Sequence, residues 1–146
     1  MFNTMFDKGS LPVLEQWLHF TVVRHRAIAN NIANVETPFY KTMDAPEKEF
    51  RRVMLRAFDE QKRSPLGIFD LVRRDGIVPK PGARPEMRYI EAPPEEAGML
   101  RHVENNVDVD VEFAKMVKNS GLHNLLANVL TQQFDLMREA IGERVR

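Results

Sequence analysis

Two heptad patterns stand at opposite ends of the chain and constrain its fold more than any other feature. Leu11, Leu14, Leu18, Thr21, His25, Ile28, Ile32 and Val35 recur at alternating intervals of three and four. Phe113, Met116, Ser120, His123, Ala127, Leu130, Phe134, Met137 and Ile141 do the same near the carboxyl end. That spacing keeps one stripe of a helix facing a partner helix. The first helix is expected to start after Ser10 as N-cap, with Pro12 in the first turn, and to end by Asn34 before Thr37-Pro38. At about 1.5 Å per residue its 24 or so residues reach roughly 36 Å. The second is expected from about 108 to 142, roughly 50 Å. Asp108, Asp110 and Glu112 lie at its start and Arg144 and Arg146 at its finish, as the helix dipole favours. Gly121 is its weak point.

The architecture that follows is mainly α. Long terminal helices pair as a coiled coil, with a short helix and a small irregular or hairpin excursion between them. The chain divides into 1–41, 42–107 and 108–146. The middle is polar: residues 41–112 carry 28 of the 42 charged side chains, within a chain of 21 acidic and 21 basic residues. Asp44-Ala45-Pro46-Glu47 resembles a capping box. The face Phe50, Val53, Met54, Ala57 and Phe58 then defines a helix over about 45–62. Strand-like runs at 68–72 and 87–90 predict a hairpin over about 66–91, and 93–98 reads as linker.

Both terminal helices are apolar on more than one face. Residues 119–134 carry no charge, and Leu122, Leu125 and Val129 form a second seam beside the first. Val13, Trp17 and Phe20 lie off the seam of the first helix. One partner covers one stripe, so further neighbours are required. Other molecules can supply them, and so can a middle segment folded back on the helices.

Several classes of function are disfavoured. The chain has 146 residues and no cysteine, which removes disulfides, thiolate metal sites and a cysteine nucleophile. Balanced charge argues against nucleic acid as a partner, and the basic residues of 48–63 are interleaved with Glu49, Asp59 and Glu60. No nucleotide loop, serine elbow or metal-spaced histidines occur, so neither a cofactor nor an enzymatic reaction is expected. His25 and His123 are expected as packed members of the seams. No apolar run of 18 residues exists to span a membrane. The opening MFNTMFDKGS lacks the basic start of a secretory signal.

The segment Asn30-Asn31-Ile32-Ala33-Asn34-Val35-Glu36-Thr37-Pro38-Phe39-Tyr40-Lys41 is unusual. Asparagine is a poor helix former because its amide competes for nearby backbone groups. Three in five positions are costly unless the amides are used, and uncharged amides beside small residues suit a buried, hydrogen-bonded contact. A fraying helix end capped by Asn34 is the plainer alternative.

This segment resembles the amino-terminal signature of bacterial flagellar rod, hook and related axial proteins. Asn30, Asn31, Ala33, Asn34, Thr37, Tyr40 and Lys41 match it, and Phe39 stands where that family usually has glycine. A second match is Asn105-Asn106-Val107-Asp108-Val109-Asp110-Val111-Glu112, opening a helix that ends Phe134 to Ile141. In so short a chain the combination is most similar to the proximal rod members. The resemblance implies a structural subunit that assembles helically with itself and other rod proteins in the periplasmic rod of the basal body. It also implies export through the flagellar export apparatus without a cleaved signal, a membrane-ring adaptor as neighbour, and transmission of torque to the hook. Leu14, Leu18, Ile28 and Ile32 against Phe113, Met116, Leu130, Phe134 and Met137 would form the coil. The Asn30–Lys41 segment with Leu122, Leu125 and Val129 would meet neighbours. Terminal helices lacking those neighbours in dilute solution are expected to be partly disordered. A cytosolic helical adaptor that binds a partner helix through the same seams is the alternative, and an enzyme using Asp70, Asp75 or Tyr89 a remote one.

Overall fold

The structure is a computed structural model and describes residues 10–63, 89–92 and 104–143. In chain order the elements are α1 (Leu11–Ala33), β1 (Met43–Asp44), α2 (Glu47–Arg63), β2 (Ile90–Glu91) and α3 (Val109–Glu143). The chain is mainly helical, and α1 and α3 pack lengthwise against each other. Asn31 at the end of α1 touches Glu112 at the start of α3, and Thr21 lies level with Asn119 and His123, so the pair is antiparallel.

The start of α1 differs from expectation. Ser10 already has helical dihedrals (φ −84°, ψ −17°), and its side chain makes no capping bond. Pro12 does fall in the first turn, where its missing N–H is one the helix leaves unpaired anyway. At the other end the Asn34 N–H reaches the carbonyls of Asn30 and Asn31, both at 3.1 Å. The start of α3 is as expected: Asp108 Oδ1 accepts from the N–H groups of Asp110 and Val111 at 3.0 and 3.3 Å, the geometry of an N-cap. Gly121 lies inside α3, which runs through it unbroken. Arg144 and Arg146 lie outside the described residues.

The second apolar face of α1 is covered within the chain by α2. Phe20, Val23, Ala45, Phe50, Val53, Met54 and Ala57 form one buried cluster, with Val13 and Trp17 packed against it. Phe50 stacks on Phe20 at 4.4 Å between centroids and meets Trp17 edge-on at 4.9 Å. Such pairs add about 0.5–1.5 kcal/mol each beyond area burial. Four residues of the expected α2 face are thus buried, while Phe58 is 39% exposed.

The α1–α3 seam differs in detail from the heptads. On α3 the buried and half-buried positions include Glu112, Met116, Asn119, His123, Leu126, Leu130, Gln133 and Met137, again spaced by four and three. Met116 and Leu130 keep their expected places, Met137 is half-buried but lies beyond the described start of α1, and Phe113 is out of place, being 51% exposed. Glu112 takes the inward position, and the next residue is turned about 100° around the helix. Phe134 and Ile141 are 45% and 59% exposed for another reason. With Thr21 level with Asn119 and His123, Leu11 falls level with roughly residue 132 at equal helical rise. The last turns of α3 therefore run beyond the described start of α1. On α1, Ile28 is buried and Leu14, Leu18 and Ile32 are half-buried, but His25 is exposed.

The two strands pair antiparallel, Met43 opposite Glu91 and Asp44 opposite Ile90. The Ala92 N–H extends the ladder to the Thr42 carbonyl at 2.8 Å. Most of the expected 66–91 hairpin lies outside the described residues, as does the 93–98 linker. Its described end, β2, pairs with β1 ahead of α2, so this strand contact closes the loop that contains α2.

No α3 residue beyond Asn119 is buried among those described. Amide exchange on a proven monomer is therefore expected to show strong protection across 20–31 and 109–123, falling away from about 132 to 143. Uniform protection along the whole of α3 would contradict this account of where its stability comes from.

Candidate functional site

The three costly asparagines have three different placements. Asn31 is fully buried, and its amide is saturated. Nδ2 donates to the Met43 carbonyl at 2.7 Å and to Glu112 Oε2 at 2.8 Å. Oδ1 accepts from the Met43 N–H and the Tyr40 hydroxyl, both at 3.0 Å. Asn34 finishes the helix, donating to the Asn30 carbonyl at 2.8 Å and accepting from the Thr37 hydroxyl at 3.1 Å. Asn30 itself is exposed, as is Ala33.

The two segments that carry the family resemblance meet here. Asn105, fully buried, aims Nδ2 at the carbonyls of Asn34, Val35 and Thr37, at 3.0, 3.0 and 2.7 Å. These include carbonyls that a helix end leaves without partners. Asn105 Oδ1 accepts from the Val107 N–H at 2.8 Å. Asn106 Oδ1 accepts from the N–H and hydroxyl of Thr42 at 2.8 and 2.9 Å. Lys41 Nζ donates to the Glu104 carbonyl at 3.0 Å. Asn31, Asn34, Thr37, Tyr40 and Lys41 therefore bond within their own chain.

Charge is handled by two buried pairings. Glu112 is 1% exposed; its Oε1 accepts from Lys115 Nζ at 2.9 Å while Oε2 takes the Asn31 amide. Arg24 grips Asp44 with two bonds, 3.1 and 3.0 Å, and also reaches Glu47. Burial alone would lower the Arg24 pKa; the hydrogen bond and charge of Asp44, joined by Glu47, more than reverse it. This clamp holds the β1–α2 turn onto α1, and it engages the Asp44 carboxylate that the capping-box reading had assigned to the helix start. Along the seam Thr21 donates to the Leu18 carbonyl at 2.6 Å and lies 2.8 Å from His123 Nδ1.

The second seam has mixed exposure: Leu122 and Val129 are half-buried and Leu125 is 59% exposed. Phe39, at the position of the family glycine, has φ +61° and is 71% exposed. Thr42, Asn105, Asn106, Glu112 and Arg24 were not among the site residues read from sequence, although 105–112 had been noted as a motif. A run of two asparagines ahead of an N-cap is a visible signal, but its partners are about 70 residues away.

The arrangement cross-links the end of α1 to β1 and to the start of α3. Its polar atoms are paired with each other, and the described residues contain no group of three or more His, Asp and Glu side chains able to hold a metal. Tyr89, the described member of the remote enzymatic alternative, is 38% exposed; Asp70 and Asp75 lie outside the described residues. No described helix is long and apolar enough to cross a membrane.

The described residues thus form a long antiparallel helix pair, locked at one end by amides, with Val117, Leu125 and Leu136 exposed along α3. No family model matches the chain. The flagellar basal body rod protein FlgB of Borrelia hermsii is 28% identical over 130 residues, spanning 86% of this chain and 90% of that protein. The likeness runs over nearly the whole of both chains.

Removing the Asn31 amide strands four partners in a buried site. Asn31→Ala is expected to cost roughly 3–5 kcal/mol, against about 0.5 kcal/mol or less for Asn30→Ala, read from urea midpoints. Tyr40 supplies a pH test. Its pKa is raised, first by burial and then by the negative charge of Glu112. The folded state therefore holds the phenolic proton more tightly than the unfolded one, and that stability is present below the ordinary tyrosine pKa of about 10. It is lost as pH rises through the higher folded value. Tyr40→Phe should lose about 1 kcal/mol at neutral pH and flatten the decline measured above it.

Proposed function

We propose that this chain is a structural, non-enzymatic subunit of the proximal rod of the bacterial flagellar basal body. The observation that carries the reading is the near full-length similarity to a flagellar basal body rod protein. It is joined by the contact between the two motif segments, Asn31 with Glu112 and Asn105 with the end of α1. Subunits would stack helically, with copies of this chain and other rod proteins as neighbours and a membrane-ring adaptor at the base. The tube so formed would pass torque from motor to hook. The chain would reach it through the flagellar export apparatus, with no cleaved signal.

The surfaces available for stacking are on α3 and on the open side of the α1 terminus. Val117, Leu125 and Leu136 are 73%, 59% and 59% exposed, and 119–134 is free of charge. Exposed apolar side chains along one helix favour burial against another molecule. Asn30, Ala33 and Thr37 are the motif residues left exposed, so in this reading they and the Leu122–Val129 seam make the intermolecular contacts.

Deleting the gene in the source organism and imaging isolated basal bodies tests this. Rods and hooks should be missing while the membrane ring remains, and the full chain should restore them. Complete basal bodies without it would move the helical-adaptor reading ahead. Leu125→Asp places a charge on an exposed position, where the cost to the fold is within about 0.5 kcal/mol. It should abolish rod assembly while leaving secretion of the chain intact, and rods assembled from that variant would remove the second seam from the mechanism.

A further inference from the structure

We propose that Phe39 is a docking knob that enters the apolar groove between α1 and α2 of a second copy of this chain, joining copies head to tail. The inference rests on the reading of the chain as a stacking subunit and names the contact through which copies meet.

Phe39 is doubly unfavourable to an isolated molecule. Its φ of +61° lies in the left-handed region, which a bulky side chain enters only against steric opposition. Its ring is 71% exposed to water. Glycine would remove both penalties. A strained backbone that persists is held by its surroundings and marks a place where the side chain is used. The surroundings here are rigid: the Thr37 N–H bonds the Asn34 carbonyl at 3.0 Å, Asn105 holds the Thr37 carbonyl, and the Tyr40 hydroxyl is held by Asn31. The ring is thus presented on a locked turn, which lowers the ordering cost of docking.

A receptor for it lies on the same molecule, out of its own reach. Val13, Trp17, Arg51, Met54, Leu55 and Phe58 line an open groove of about 500 Å³, ample for a phenyl ring. Leu55 is 60% exposed there. The groove flanks the first two turns of α1, whereas Phe39 lies past its last. From Trp17 to Ala33 alone the helix rises about 24 Å. The rims are complementary in charge. Exposed Glu36 lies three residues before Phe39, while Arg51 lines the groove and exposed Arg52 follows it. Knob and groove at opposite ends of one molecule make a heterologous contact, and such a contact repeats into an open chain unless its rotation closes.

The test uses the purified full chain, which has no native cysteine. Phe39→Gly should raise Tm by a few degrees and weaken concentration-dependent self-association in sedimentation by about tenfold or more. Leu55→Asp should weaken association equally without raising Tm. Mixing the single variants Glu36→Cys and Arg51→Cys, which keep Phe39 and the apolar lining of the groove, should under mild oxidation give a disulfide-linked pair that neither gives alone, and the double variant should give a ladder. Self-association of Phe39→Gly equal to wild type, a bond closed within one copy of the double variant, or no bond in the mixture overturns the proposal. A chain that stays monomeric in sedimentation yet is required for rods overturns it and leaves the rod reading in place. Copies that join through 39 and 55 while basal bodies form without the gene would instead overturn the rod reading.

Discussion

The fold depends on one side-chain amide doing the work of a peptide group. Asn31 offers Met43 a donor and an acceptor side by side, as a neighbouring strand would, although it sits in a helix. That pairing sets Met43, and through it β1 and the turn into α2, which Arg24 then clamps from α1. The same amide reaches Glu112 and fixes the start of α3. Few residues could replace it. Aspartate lacks the donors and would set a second carboxylate beside a buried one, and glutamine carries its amide one methylene too far.

Polar contacts also select the alignment of α1 and α3. Leucine against leucine packs almost as well one turn up or down, so an apolar seam sets register weakly. Glu112, Asn119 and His123 each have one partner on α1 and lose it on a slip. A polar seam member exchanges some stability for a single register, as polar residues at core positions of coiled coils do. The apolar strength of the structure lies elsewhere, in the Trp17–Phe20–Phe50 aromatic cluster between α1 and α2.

The helices were legible because heptad spacing reports period directly; α1 and α3 fall within a residue or two of the limits expected from Leu11, Asn34 and Asp108. The buried face of α2 was legible for the same reason. Period does not report phase once a helix is apolar on several sides, and Phe113 looked like a seam residue because nothing local shows that Glu112 has Asn31 and Lys115 to meet. Ser10 looked like a cap because residue type was the only guide. The asparagine segment announced itself by costing helix stability for no local gain. That Asn31 would meet Met43 and Glu112, and that Asn105 would take the carbonyls of Asn34, Val35 and Thr37, could not be read, because the partners across the chain are distant in sequence and of ordinary type.

The turn that follows α1, from Asn34 to Thr37, is held by Asn105, which lies 71 residues beyond Asn34. Any process that delivers the chain amino end first, synthesis included, therefore presents α1 with a following turn that lacks this latch until 71 more residues have followed Asn34. At about 5–20 residues per second that interval lasts several seconds on the ribosome. During it α1 can pack on α2 alone. The bonds that join the end of α1 to the start of α3 can form only once residues 105–112 have arrived.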